Sequence, residues 1–247
     1  MELTDEQVRR FHESGYLVLT HWLTEPRRQR YLAILDRLVE QSRTLTTTGD
    51  GFHLAFDGGG QPIPGLLHKI QGLCVVEPAL LELAAEPALR AAVGSLLGSH
   101  LDVFGTKFYP MNIAGGTSTD WHQDNHYFGT QSEQVISCAI YLQPTTVENG
   151  CLRVAPGSHR SGSLAPHERG SGIYSHGSWT PVAEDQSVDL VCEPGTAVLF
   201  SANLLHGARP NLSGEPSYRT AWHYIPGHLD LPLFPRGVYA DRHILPE

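Results

Sequence analysis

Lysine is nearly missing from this chain. Only Lys69 and Lys107 occur among 247 residues, and every other basic side chain apart from histidine is an arginine. That bias fits a GC-rich genome at least as well as any functional cause. The formal net charge is -9 and no basic patch is visible, so a nucleic acid partner is not expected. Cysteine is scarce too. Cys74, Cys138, Cys151 and Cys192 form no C-x-x-C pair, which removes the zinc-ribbon and dithiol readings and leaves buried, reduced thiols of a cytoplasmic protein. No run approaches the ~18 apolar residues that a membrane helix needs. The opening MELTDEQVRRF lacks the apolar core of a signal peptide, so no membrane partner is expected.

What is present is a chain with 40% hydrophobic residues, too apolar for disorder, and long enough for one well-filled core. A single domain over 1–247 is expected. Residues 1–100 read as a mainly helical flank. Thr4 is a candidate N-cap and Gly15 a stop, with a short strand at 16–19. Residues 26–45 carry apolar side chains at helical spacing, and 78–98 are helical with Gly98 as the stop. The Thr-, Gly- and Pro-rich stretch 46–66 is expected as a loop. After residue 100, short strand-like runs at 101–109, 134–142, 151–155, 187–192, 196–201 and 219–225 alternate with turn signals. Asn149-Gly150 is a hairpin signal, because both residues tolerate positive φ. Many short strands with regular turns predict an antiparallel barrel or jelly roll, with the helices on its outer face. A second long loop, 161–186, has the composition and length of a lid.

The sharpest local signal is Trp121-His122-Gln123-Asp124-Asn125-His126. Residues i and i+2 of an extended segment project to one side, so His122 and Asp124 can grip one cation. An imidazole and a carboxylate suit Fe(II), and a second histidine completes a facial triad with three positions left open. His206 is the best partner; it follows the run 196–201 and begins the turn His206-Gly207-Ala208-Arg209-Pro210-Asn211. Thirteen residues further on, Arg219 opens the next strand. A guanidinium holds a carboxylate in a planar two-bond fork, which is what a dicarboxylate co-substrate beside the metal needs. An isolated H-x-D is more often structural than metal-binding, and the conjunction with the late histidine and the arginine is what raises it.

At these residues the chain resembles the phytanoyl-CoA dioxygenase family of Fe(II)/2-oxoglutarate oxygenases. The resemblance runs from Leu3-Thr4-Asp5-Glu6-Gln7, Phe11 and Gly15-Tyr16-Leu17-Val18 through the His122 segment. It continues in Glu148-Asn149-Gly150-Cys151-Leu152 and Pro156-Gly157-Ser158-His159, and ends with Pro194-Gly195-Thr196, His206-Gly207 and Arg219. It implies a mainly β fold, a double-stranded β-helix (jelly roll, cupin-like) core with flanking N-terminal helices. It implies His122, Asp124 and His206 as the catalytic iron ligands and Arg219 as the clamp for 2-oxoglutarate. Gln123 and Asn112 fall where the family contacts that co-substrate. Fe(II), 2-oxoglutarate and O₂ are the implied cofactors, and oxidation of a small-molecule C–H bond, by hydroxylation, desaturation or cyclisation, is the implied reaction. Related halogenases replace the carboxylate ligand by a small residue; Asp124 is present here, so halogenation is not expected. The spacing from His206 to Arg219 is slightly longer than in many members, and no basic cluster for coenzyme A is visible. Small members often serve natural-product pathways, sugar-containing antibiotics included.

Lys107, His126, His176 and Trp179 are the candidate substrate contacts, with His167 on the same late loop and His53, Phe56 and Asp57 on the earlier one. A solvated lysine and a packing histidine are the plain alternatives for Lys107 and His126. His159 reads as structural, and Trp222 and Tyr141 read as barrel filling. Two rivals remain at this level: a zinc or manganese hydrolase using the same triad, and a non-catalytic metal-binding barrel.

Overall fold

Thr4 opens the first helix, α1 (Asp5–Ser14), in a computed structural model that describes residues 2–111, 118–162 and 182–246. The Thr4 hydroxyl accepts from the Gln7 backbone N–H at 3.3 Å, and the Gln7 side chain accepts from the Thr4 N–H at 2.9 Å. This reciprocal capping box satisfies two donors that the first turn leaves orphaned. Gly15 ends the helix at φ 84°, and β1 (Tyr16–Leu19) follows. Helix α2 (Glu25–Ser42) buries Tyr31, Leu35 and Leu38 along one face. Three shorter helices, α3 (Leu73–Val76), α4 (Leu81–Ala84) and α5 (Pro87–Leu97), complete the flank.

The stretch 46–66, expected as a loop, holds β2 (Phe52–Phe56) and the start of β3 (Pro62–Gln71). Its pairing slips between His53 and Leu54 and again between Leu54 and Phe56. Those irregularities break the two-residue alternation by which a strand is read. The remaining strands are β4 (Leu101–Tyr109), β5 (Thr119–His122), β6 (Ile136–Tyr141), β7 (Leu152–Val154), β8 (Val188–Leu190), β9 (Thr196–Ser201), β10 (His206–Ala208), β11 (Arg219–Pro226) and β12 (Arg242–Ile244). Helix α6 (Asp124–Phe128) interrupts them after β5.

Two antiparallel sheets result. The larger has the order β1-β9-β6-β11-β4-β3-β2, with β12 also on β4; the smaller is β5-β10-β7-β8. The N-terminal flank is therefore helical outside and contributes three strands to the larger sheet. One face of that sheet packs under the helices, where Leu35, Leu38, Val103, Ile140, Leu199, Trp222 and Tyr224 share the main core. The opposite face looks toward the smaller sheet. Because both faces are covered, β6 and β9 are buried at every residue, so their sequences read as apolar runs and not as alternations.

Asn149-Gly150 is a turn but not a hairpin. The strands on either side, β6 and β7, belong to different sheets, and Asn149 bridges Asn211 instead. Its side chain accepts from the Thr146 N–H at 2.7 Å and its amide donates to the Pro144 carbonyl at 2.9 Å. The local geometry demanded by the residues is met while the pairing is set by the sheets.

The C-terminal segment is fastened by one fully buried carboxylate, Asp102 on β4. Arg242 Nε and Arg236 Nη2 each donate to it at 3.0 Å. Arg242 also donates to the carbonyls of Phe234 and Leu229. Removing one partner of a buried pair strands the other charge. Asp102→Ala is therefore expected to lower the unfolding free energy by about 3–5 kcal/mol. Urea denaturation checks this; a loss below about 1 kcal/mol would mean that Arg242 is solvated, as exposed pairs are.

Candidate active site

A cavity of about 360 Å³ lies between the two sheets. Its floor can be read from the register of the larger sheet. Arg219 pairs with Tyr109 on one side and Tyr141 on the other, Ala221 pairs with Lys107 and Ala139, and His223 with Ser137. Gln71 on β3 pairs with Lys107, and Lys69, two residues earlier, shares its face. The side chains at these alternate positions point to one face, and all of them line the cavity. A bulge between Ala221 and His223 shifts the pairing with β4. Gly105 sits there at φ 62°, and a Cβ on it would stand 3.0 Å from the His223 ring. A larger residue at 105 would press directly on that imidazole.

The smaller sheet supplies the opposite wall. His122 ends β5, His206 opens β10, and the two are paired directly across the strands. Their ring centroids are 4.1 Å apart. Gln123 is extended, at φ -117° and ψ 132°, and Asp124 is the first residue of α6. One ligand atom from each of His122, Asp124 and His206 lies within 4.8 Å of the others, and all three residues are buried. His122 Nδ1 lies 2.7 Å from the Asp120 carbonyl and His206 Nδ1 3.0 Å from the Leu204 carbonyl. A carbonyl only accepts, so each ring carries its proton on Nδ1 and turns the Nε2 lone pair inward. Each Nε2 stands 3.7 Å from an Asp124 oxygen.

Behind Asp124 runs a chain of donors. Ser137 Oγ donates to Asp124 Oδ2 at 2.6 Å, His223 Nδ1 lies 2.9 Å from Ser137 Oγ, and Lys107 Nζ lies 3.1 Å from His223 Nε2. Lysine only donates, which fixes His223 as the Nδ1–H tautomer. Burial works to raise the Asp124 carboxyl, and the imidazoles of His206, His223 and His122 outweigh it, holding it well below the usual carboxylate range. Burial, aided by its neighbour His122, pushes His206 down to about 4, and burial with Lys107 pushes His223 down to about 3.

Arg219 is 6% exposed. Its Nη2 donates to the Gly150 carbonyl at 2.6 Å and its guanidinium lies 5.6 Å from the centroid of the Tyr141 ring. The Arg219 Nε and the Tyr141 hydroxyl are buried without a hydrogen-bond partner among the described residues. Orphaned buried donors in a cavity wall are what an absent acceptor leaves behind.

The structure brings His122, Asp124 and His206 together, as the sequence reading expected, and differs from that reading at three features. His206 lies on a strand, not a turn. Gln123 does not reach the cavity: its amide donates to the Asn203 carbonyl at 2.5 Å and the Gly162 carbonyl at 2.9 Å. His126 is exposed and outside the cavity lining. At 3.6 residues per turn, a residue two beyond Asp124 on a helix faces nearly the other way. Lys107 does line the cavity, whereas His53, Phe56 and Asp57 do not. His159 lies 3.1 Å from the His12 carbonyl through Nε2, between the helical flank and the barrel. Asn112, His167, His176 and Trp179 lie outside the described residues. Ser137, His223, Tyr141 and Lys69 were missed as cavity residues. His223 had a signal, since it shares the parity of Arg219 on one strand; the others become visible only through cross-strand register.

Fold and site together define a jelly-roll oxygenase architecture with a buried His-Asp-His centre. A profile of the phytanoyl-CoA dioxygenase (PhyH) family matches residues 11–221, and the chain belongs to that family. It is thus an Fe(II)/2-oxoglutarate-dependent dioxygenase, and the hydrolase and binding-module readings fall away. A phytanoyl-CoA dioxygenase domain-containing protein 1 homolog of Dictyostelium discoideum is 23% identical, with 92% of each chain covered. EctD from S. alaskensis, solved with 2-oxoglutarate and 5-hydroxyectoine, superposes with a TM-score of 0.76 at 20% identity, over 99% of this chain and 86% of that one. The non-heme alpha ketoglutarate dependent epimerase SnoN from nogalamycin biosynthesis gives 0.70 at 20% identity, over 95% and 90%. Among the described residues, no helix is long and apolar enough to cross a membrane.

The two depressed imidazoles give a test on metal-free protein. His206 and His223 stay neutral in the fold down to about 4 and about 3, from an ordinary value of 6.5. The unfolded chain takes up both protons as pH falls through 6.5 while the folded chain does not, so acid favours unfolding. Chelator-treated protein is expected to lose on the order of 3 kcal/mol between pH 7 and pH 5. Denaturation at the two pH values measures it, and stability that is flat or rising on acidification contradicts the buried neutral pair.

Proposed function

We propose that His122, Asp124 and His206 hold the ferrous ion and that Arg219 binds the far carboxylate of 2-oxoglutarate in the same cavity. In this reading the chain, 1–247, works as one catalytic domain. It uses O₂ to oxidise an unactivated C–H bond of a small molecule by hydroxylation or oxidative cyclisation. The observation that carries it is one cavity walled by two inward Nε2 lone pairs, a buried carboxylate and a buried guanidinium whose Nε has no partner among the described residues. Two imidazoles and one carboxylate suit Fe(II) and leave positions for co-substrates, and no thiolate competes for a softer ion.

Bound there, the metal and its co-substrate supply the oxidising chemistry, and the protein supplies orientation and water exclusion. Ser137 fixes one Asp124 oxygen by its hydrogen bond. The Asp120 and Leu204 carbonyls hold both imidazoles in the metal-binding tautomer. Arg219 is pre-aimed by the Gly150 carbonyl, so little side-chain freedom is lost when a carboxylate arrives. Natural-product metabolism, antibiotics with sugar components included, is the setting we favour. Its support is the fold shared with SnoN and a cavity of about 360 Å³. That volume is near the lower end for small-molecule sites and better suited to a small substrate than to a coenzyme A thioester. Four buried, unpaired cysteines suit the reducing cytoplasm.

Anaerobic addition of Fe(II) and 2-oxoglutarate to the metal-free protein is expected to give a weak visible charge-transfer band, absent in His206→Ala. Arg219→Ala is expected to weaken 2-oxoglutarate binding by roughly 10- to 100-fold, the worth of a charge-assisted fork. His122→Ala and Asp124→Ala are expected to abolish 2-oxoglutarate turnover under O₂. Turnover retained in either sinks the ligand assignment; tight zinc binding with no band in the parent protein sinks the cofactor assignment.

A further inference from the structure

The His223 imidazole is 2% exposed and engages both of its ring nitrogens inside the barrel. Backbone and packing together hold it there. The bulge between Ala221 and His223 resets the register with β4, so that His223 pairs with Phe104. Gly105, at φ 62°, keeps open the space beside the ring, where a Cβ would stand 3.0 Å from its Cδ2. The Phe104 and Phe128 rings lie 5.3 and 4.6 Å from it, centroid to centroid. Turning the ring over would set carbon against both Ser137 and Lys107 and leave buried polar atoms unpaired, which is costly. The match to the family profile ends at residue 221, just short of this histidine.

Four groups stand in one line, Lys107 Nζ, the His223 ring, Ser137 Oγ and Asp124 Oδ2, with contacts of 3.1, 2.9 and 2.6 Å. The carboxylate end fixes the direction of the whole line. An ionised carboxylate only accepts, so the Ser137 hydroxyl donates to it. That hydroxyl has one proton, so the contact with His223 is a bond donated by Nδ1–H. A neutral imidazole then carries its lone pair on Nε2, and Lys107 donates to it. A hydroxyl proton rotates to suit its surroundings; here the His223 N–H occupies one side of Oγ and turns the proton toward Asp124. Hydrogen bonds that run head to tail polarise one another, so the last link is strengthened by those before it. Neither nitrogen of His223 keeps a lone pair for a metal. The ligand atoms that cluster among the described residues come from His122, Asp124 and His206.

We infer that His223 is a positioning residue for the metal centre: acting through Ser137, it fixes the Asp124 carboxylate that holds the ferrous ion. This rests on the proposed function, in which Asp124 is a ligand. Ser137 ties down Oδ2, while Oδ1 faces His122 Nε2 at 3.7 Å. A carboxylate can turn about its last bond and exchange its two oxygens. Held at one oxygen, it presents the other in a single orientation before any metal arrives. Hydrogen-bond partners behind a ligand raise metal affinity in this way. Packing alone gives no reason for histidine at 223. A phenylalanine there would also fill the space between Phe104 and Phe128, but it would have no N–H for Ser137 and would release the hydroxyl from Asp124.

The test titrates full-length, metal-free protein with Mn(II) alone and reads the free ion by electron paramagnetic resonance. The parent is compared with Ser137→Ala, His223→Phe and the double variant. Each single substitution is expected to raise the Mn(II) Kd by about 10-fold, the lower end for an outer partner of a metal ligand. The double variant is expected to lie within about twofold of Ser137→Ala, because a residue that acts through the hydroxyl then has nothing to act on. A histidine that only fills space would leave the Kd of His223→Phe within about twofold of the parent. One that acts independently of Ser137 would multiply with Ser137→Ala to about 100-fold in the double variant. Either result overturns the proposal. A second measurement needs no substitution at 223 and guards against a folding defect there. Nuclear magnetic resonance of metal-free protein with isotope-labelled histidine is expected to show a neutral Nδ1–H imidazole whose proton signal moves in Ser137→Ala. Absence of any Nδ1–H signal that responds to Ser137→Ala also overturns the proposal. A parent protein that binds no Mn(II) overturns the metal-site reading instead, and the resonance experiment, run without metal, tells that failure from a missing Ser137–His223 bond.

Discussion

Asp124 carries a full negative charge at 6% exposure, and most of the site is arranged around keeping it charged. An ionised carboxylate taken out of water costs several kcal/mol unless partners replace its hydration. Here the replacement is partial. Ser137 donates to one oxygen and His223 Nδ1 approaches to 3.8 Å, while the Nε2 lone pairs of His122 and His206 face both oxygens and offer no proton. None of these partners is a full cation in direct contact, because burial keeps His206 and His223 neutral. The centre is therefore short of positive charge, which a divalent ion bound there would supply. The same environment that would destabilise an empty site favours an occupied one.

That arrangement depends on registers and not on any single loop. His122 and His206 meet because β5 and β10 pair at those residues. Arg219, Tyr109 and Tyr141 share a row because β11 is hydrogen-bonded to β4 and β6 at the same residue. A one-residue slip would turn the whole row to the helix-packed face. The bulge between Ala221 and His223 is the exception that lets His223 reach Ser137, and Gly105 is the residue whose missing Cβ makes room for it.

Much of the chemistry was legible in the sequence because it rests on short-range geometry. The extended i,i+2 relation of His122 and Asp124 needs no tertiary knowledge, and the parity of Arg219 on its strand needs little. What stayed hidden depends on partners far along the chain. The family resemblance implied Gln123 as a co-substrate contact, yet an extended residue flanked by inward neighbours must point outward, and it does. His126 was misplaced because α6 begins at Asp124, where the period changes from two to 3.6. Asn149-Gly150 signalled a turn correctly, but no local rule says that the strands beside it join different sheets. Its carbonyl at Gly150 orients Arg219, a role that only the fold reveals.

The lysines make the same point about composition. Two lysines in 247 residues read as a trace of base usage, and a bias of that kind predicts only how many there are. It does not predict where they sit. Arginine is plentiful on the outside of this protein, where its ion pairs with glutamates are solvent-exposed and contribute little. Inside, where a charge is desolvated and worth more, the chain places Arg219 and both of its lysines around one cavity.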